Sequence, residues 1–218
     1  MKKIYFLLLL TMLIGFSTIP LSAQQTLTVH NGTATNAYVP VYGYYADAYL
    51  KAEFVIPASD LTDIATSNDP IISMTFYASE ANVSWGNANF QVFLSEITET
   101  SLSSFVGSDN ATMVYQGSLS IIDGKMEIEF TSPYTYNGGN LLIGVYNTVE
   151  GNYETCNWYG ENVNGASVQG YSYSDLGSIS ASQRNFIPKT TFTYGLITCA
   201  KPTAFNATIV STTEVMLS

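Results

Sequence analysis

A single histidine, His30, stands beside Asn31-Gly32 near the amino-terminal end of this chain. Nucleophilic catalysis of the Ser-His-Asp or Cys-His kind needs an imidazole held against the nucleophile and oriented by a third group. A histidine in a polar terminal segment is expected to be mobile and a poor general base. The same scarcity argues against zinc, which draws its ligands mainly from His and Cys. A glycosidase would need two facing carboxyls, one kept protonated by its surroundings. Glu127 and Glu129 are the conspicuous pair, but they alternate with Met126, Ile128 and Phe130, which puts them on the solvated face of a strand. No enzyme is expected. Calcium stays open: Asp47, Asp60, Asp63, Asp69 and Asp109 fall in or near loops, whose oxygens can assemble a site without a linear motif, although no run matches an EF-hand. No cofactor beyond such a structural ion is expected.

Sugar recognition uses aromatic platforms beside amide and carboxylate groups, which pack a pyranose face and bond its hydroxyls. Two clusters have that composition: Trp85 with Asn87 and Asn89, and Trp158 with Tyr159, Glu161 and Asn162. The competing reading is that each tryptophan belongs to the core or closes one end of it. A third aromatic stretch, Tyr38 to Tyr49, carries five tyrosines in twelve positions. There, alternate rings are expected to pack inward while the others cover the rim, because tyrosine buries its ring and keeps its hydroxyl wet.

The elements that must position these groups read as strands. From Lys125 to Phe130 apolar and charged residues alternate with a period of two, and Leu141 to Tyr146 is apolar on both faces. The first suits a half-buried strand and the second the middle of a covered sheet. Leu50, Ala52, Phe54 and Ile56 mark one buried face before Pro57, and Ile72, Met74, Phe76 and Ala78 another; Phe90, Val92 and Leu94 follow the same rule. Asp123-Gly124 is a tight-turn signal joining a strand over Met113 to Ile122 to the one that starts at Lys125. Further strands are expected over Tyr153 to Tyr159, Val168 to Tyr173 and Asn185 to Tyr194. Ser59 to Ile64 can close one helical turn, and Thr98 to Phe105 is the best candidate for a helix of about two turns. The sum is an all-β chain: an antiparallel, jelly-roll-like β-sandwich of about nine or ten strands.

Lys2 and Lys3, the apolar run Ile4 to Ile14 and the small residues Leu21-Ser22-Ala23 have the order of a secretory signal, giving a domain plan of 1–23 signal, 24–197 sandwich and 198–218 linker with the start of another domain. The apolar run is shorter than the roughly 20 residues that span a bilayer, so no membrane insertion is expected after cleavage. Without Lys2 and Lys3, five basic residues face seventeen acidic ones, a surface that repels nucleic acid and anionic lipid. Cys156 and Cys199 would enter an oxidising compartment together. They either form a disulfide or stand apart, one buried and one in the linker.

The stretches YVPVYGYYADAYLKAEFVIPASDL, ISMTFYAS, WGNANFQVFLSEI, PYTYNGGNLLIGVYN, WYGENVNGASVQGYS and QRNFIPKTTFTY, followed by CAKPTAF, together resemble a bacterial secreted β-sandwich module that precedes fibronectin type III repeats. That module is similar to cleaved-adhesin and carbohydrate-binding jelly rolls. Phe205, Ile209, Val215 and Leu217 resemble the opening of a type III domain, which needs about 100 residues, so only a stub is present. The resemblance implies a non-catalytic recognition or adhesion module outside the cell, binding a glycan or a host surface protein. A structural spacer that positions another domain is the alternative.

Overall fold

The computed structural model describes residues 24–195, 207–211 and 214–217; residues 1–23, expected to be a signal, and Cys199 lie outside the described residues. Strands within Gln24–Gly195 are β1 (Gln25–Val29), β2 (Ala34–Asn36), β3 (Tyr49–Ile56), β4 (Ile71–Tyr77), β5 (Val83–Ser84), β6 (Asn89–Ile97), β7 (Thr112–Gly117), β8 (Ser120–Ile121), β9 (Lys125–Tyr134), β10 (Asn140–Val149), β11 (Trp158–Glu161), β12 (Ser167–Ser172), β13 (Ser182–Arg184), β14 (Ile187–Pro188) and β15 (Thr190–Tyr194). Two further strands, β16 (Ala207–Ser211) and β17 (Glu214–Leu217), pair antiparallel with each other.

The fold is an antiparallel β-sandwich. One sheet has four strands in the order β1-β15-β4-β9 and the other six in the order β13-β12-β3-β10-β6-β7. Together they hold the number of strands expected. The short pairings β14-β11-β2 and β5-β8 are additional, because single bonded steps in loops carry no alternation to read. Inward residues follow the period of two: Leu50, Ala52, Phe54 and Ile56 of β3 face Met74 and Phe76 of β4 and Met126 and Ile128 of β9, all fully buried. Phe54 and Phe76 meet edge to face across the two sheets, 5.9 Å between ring centroids. Glu127 and Glu129 are exposed, as their alternation requires.

Asp123 and Gly124 form the tight turn expected, with φ of 50° and 76°, but it closes only the bridge between Ile122 and Lys125. Beyond that point β7 pairs with β6 and β9 pairs with β4, so the strands flanking the turn go to different sheets.

The burial of β10 on both faces has an unexpected source. Its inner face meets the other sheet, while Leu142 and Tyr146 on its outer face join Val55, Phe93 and Val168 in a second small core under Leu102 and Phe105. Those two residues belong to the stretch that was expected to be helical. It is an irregular strap instead, and its polar backbone groups find tertiary partners. Leu102 N donates to Gly165 O at 2.7 Å, and Gln183 Nε2 donates to Leu102 O at 2.6 Å. Val106 N and Gly107 N donate to the Glu53 carboxylate at 2.7 and 3.0 Å, and the Tyr146 hydroxyl donates to the same carboxylate. Glu53 is therefore fully buried, against the expectation that its face of β3 is open. A carboxylate that accepts three hydrogen bonds can be buried where a bare one cannot.

Several tyrosines beside such acids titrate late. Tyr134 is pushed up to about 12, first by burial and then by the charge of Glu96. Burial and the same glutamate raise Tyr136; burial and Glu53 raise Tyr146. Each folded-state value lies above the unfolded value near 10, so the folded chain holds these protons more tightly. Their contribution to stability is complete below about pH 10 and is lost as the pH climbs towards about 12. Urea midpoints are expected to fall across that window, together with a late phase of tyrosinate absorbance. A midpoint that stays level through about pH 12 would contradict these burials.

Candidate functional site

The residues expected to hold a sugar lie apart from any common surface. Trp85 and Trp158 are 0 % exposed, so the reading of Trp85 as an exposed platform is corrected by its burial. Their indoles approach each other at 6.4 Å in the core, and each N–H is taken: Trp85 Nε1 donates to Glu154 O at 3.0 Å, and Trp158 Nε1 to Val41 O at 2.8 Å. Asn87 and Asn162 are exposed, while Asn89 and Tyr159 are half-buried at the start of β6 and within β11. Glu161 is engaged by His30, whose Nδ1 lies 3.1 Å from its Oε2. His30 Nε2 lies 3.3 Å from Asp60 Oδ2, within ion-pair range but off the angle of a hydrogen bond. The histidine is thus wedged between Asp60 and Glu161 rather than mobile, and it joins the segments that carry those two acids. Among the described residues no three His, Cys, Asp or Glu side chains gather as a metal site would require.

Among the described residues Cys156 has no disulfide partner, and its thiol is buried beside the Val41 carbonyl and pushed up chiefly by that burial; Cys199, the partner considered for it, lies outside the described residues. The expected strand over Tyr153 to Tyr159 begins only at Trp158. Before that point the chain is tied by side chains, with Asn157 N and Nδ2 donating to Glu80 at 2.7 and 3.0 Å. Burial acts to raise the Glu80 carboxyl, and these bonds together hold it below the usual range.

The surface that the molecule does assemble is made of tyrosine. A short 3₁₀ turn over Gly43–Tyr45 breaks the period of two, so Val39, Val41, Ala46 and Ala48 fill the core and none of the rings of Tyr38, Tyr42, Tyr44 and Tyr45 is buried. This overturns the expectation that alternate rings pack inward. The segment is fastened from beneath. Besides the bond from Trp158 to Val41, the buried Asn147 of β10 donates both amide hydrogens, to Ala46 O at 3.0 Å and Ala48 O at 2.9 Å. Gly43 sits against the Glu154 carbonyl and within 2.9 Å of Trp85 Nε1, measured from where a Cβ would be, so a larger residue would lift the turn off its support.

Above this base the rings touch in sequence. Centroids are 4.8 Å apart for Tyr38 and Tyr42, 5.1 Å for Tyr42 and Tyr45, and 4.9 Å for Tyr44 and Tyr45. Tyr153 joins through Tyr44, and Tyr173 through both Tyr45 and Tyr171. Tyr45 lies nearly parallel to Tyr171, and the Tyr171 hydroxyl is the first cause, ahead of burial, of a raised Tyr45 hydroxyl. Tyr171 is 39 % and Tyr173 60 % exposed, so part of the array faces solvent.

The chain matches no family model and no curated protein.

Beside the rings lies an open groove of about 530 Å³ lined by Tyr38, Tyr42, Tyr45, Tyr171, Gln169 and Arg184, together with Gly170, Ser178, Ser180 and Ser182. Strand alternation explains the polar members. In the register of β12 against β13, Ser167 opposes Arg184 and Gln169 opposes Ser182, so all four fall on one face of the sheet. The guanidinium of Arg184 rests on the Tyr38 ring at 3.8 Å, a cation–π contact. Gln169 is 2 % exposed, and among the described residues neither its Nε2 nor Arg184 Nε has a hydrogen-bond partner. None of the seven residues of the two tryptophan clusters lines this groove. The tyrosine density over 38–49 was the one available signal; Gln169, Tyr171 and Arg184 carried none.

Proposed function

We propose that this chain is an extracellular, non-catalytic recognition module that binds carbohydrate in the tyrosine groove. The observation that carries the reading is the combination of ring faces with unpaired polar groups in one concave surface. Ring faces pack against the C–H face of a pyranose, and the amide, guanidinium and serine hydroxyls beside them suit its oxygens. The resemblance to secreted adhesin-type jelly rolls supports the same reading. Burial of every aromatic ring would favour a spacer that binds nothing, whereas Tyr44, Tyr153, Tyr171 and Tyr173 are exposed. No acidic pair faces across the groove, whose lining contains no carboxylate, so the chemistry available there is binding.

The test is a glycan array probed with wild type beside Tyr45→Ala and Tyr171→Ala. Each loss of a ring is expected to weaken a hit by roughly tenfold, with the fold retained, from stacking and burial on the order of 1 kcal/mol or more. A folded wild-type protein that binds no glycan on the array would leave the spacer as the better reading.

A further inference from the structure

We infer that the groove selects acidic pyranoses, and that Arg184 and Gln169 read the anionic substituent. The inference rests on the carbohydrate reading and adds the class of sugar. Its basis is a mismatch between what the groove offers and what the protein supplies. A buried donor without a partner costs roughly 1–3 kcal/mol, and native structures keep few of them. Here two lie in one lining, on Gln169 and Arg184, residues that alternation brings to the same sheet face.

Neutral sugars present hydroxyls, each both donor and acceptor, and a site built for them pairs amides and guanidiniums with carboxylates of its own. This groove has no carboxylate in its lining, and among the described residues Arg184 has no ion-pair partner. Its guanidinium carbon lies 3.8 Å from the centre of the Tyr38 ring, and its Nε has no partner among the described residues. Two unpartnered donors in a lining whose other polar side chains are neutral match a group that only accepts: the carboxylate of a uronic acid or the sulfate of a sulfated sugar. The chain as a whole is acidic, with seventeen Asp and Glu against seven Lys and Arg, but at 0.1 M salt charges more than about 10 Å away are largely screened. Within the lining the one charged side chain is Arg184, while Asp47, which accepts from the Tyr173 hydroxyl at 3.5 Å, lies outside it.

Isothermal titration of the purified protein in 0.1 M salt with tetragalacturonate, with its methyl ester and with a sulfated carrageenan tetrasaccharide separates the outcomes. Tetragalacturonate, the sulfated probe or both are expected to bind at least about tenfold more tightly than the uncharged ester, as charge-assisted hydrogen bonds predict. Which of the two binds names the source of the anion. Arg184→Gln should weaken the acidic probes at least about tenfold more than it weakens the ester, and Arg184→Lys, which keeps the charge but not the fork, should restore the preference only in part. Tyr171→Ala should weaken all the probes together, and circular dichroism of each variant checks the fold. Equal affinity for the ester and both acidic probes would overturn the inference and leave the sugar-binding groove standing. Binding of no oligosaccharide, acidic or neutral, on titration and array alike would overturn both.

Discussion

Trp158→Ala is expected to lower stability by about 3–5 kcal/mol, the range for truncating a large buried aromatic side chain. Folded domains are stable by only about 5–15 kcal/mol, so the variant should unfold at a much lower urea concentration. The indole is fully buried between Phe76 and Trp85. Its N–H also fixes the Val41 carbonyl, so the change removes packing and leaves a buried acceptor without its donor. Because Val41 belongs to the segment that carries the ring array, binding in the groove should fail along with stability. Tyr171→Ala, at a ring 39 % exposed, is expected to lose binding with a stability change below about 1 kcal/mol. Equilibrium urea unfolding of the two variants checks the contrast. Equal midpoints for Trp158→Ala and wild type would mean that the indole is not where the core needs it.

Glu53→Gln is the second large effect, about 2–4 kcal/mol, since hydrogen bonds to a charged group are worth more than neutral ones and a buried amide placed against N–H donors leaves some unpaired. The wild-type carboxylate accepts from Val106 N, Gly107 N and the Tyr146 hydroxyl. A glutamine amide nitrogen brings hydrogens of its own against one of those donors. The strap over the outer face of the six-stranded sheet should come loose, and hydrogen exchange at the Val106 and Gly107 amides should rise well above wild type. Glu127→Gln and Glu129→Gln, on the exposed face of β9, are the controls and should shift stability by less than about 0.5 kcal/mol. A Glu53→Gln protein as stable as these controls would show that the strap is held by Leu102 and Phe105 alone.

Glu53 and Glu127 had the same appearance in the sequence, each an acid alternating with core residues on a strand. Alternation put both on the face opposite the main core, and that was correct for both. Whether that face is wet depends on what crosses it from elsewhere in the chain. For Glu127 nothing does. Over Glu53 lies the strap, some fifty residues further on, whose own backbone donors are what make its burial tolerable. The strap was legible only as an amphipathic stretch with Leu102 and Phe105 at helical spacing, and tertiary partners for its amides replaced the helix.

The two tryptophans failed as site residues for a related reason. Polar neighbours such as Asn87 and Glu161 describe the composition around an indole along the chain, whereas each indole is fully buried in the core. Alternation along 153–159 places Trp158 on the same side as Cys156, and both are buried.

By itself the sequence determined the all-β class, the inward faces of β3, β4, β6 and β9, the double burial of β10 and the turn at Asp123-Gly124. All are local, because a period of two or a positive φ is written in neighbouring residues. The tertiary structure alone decided the groove. Tyr42, Gln169 and Arg184 are separated by more than a hundred positions between the first and the last, and they meet because β12 and β13 form one edge of the larger sheet while the 3₁₀ turn at Gly43–Tyr45 lays its rings alongside that edge. Which strand ends at an edge, and which side chains it leaves without partners there, follows from how all the strands pair, and no short stretch of residues contains that information.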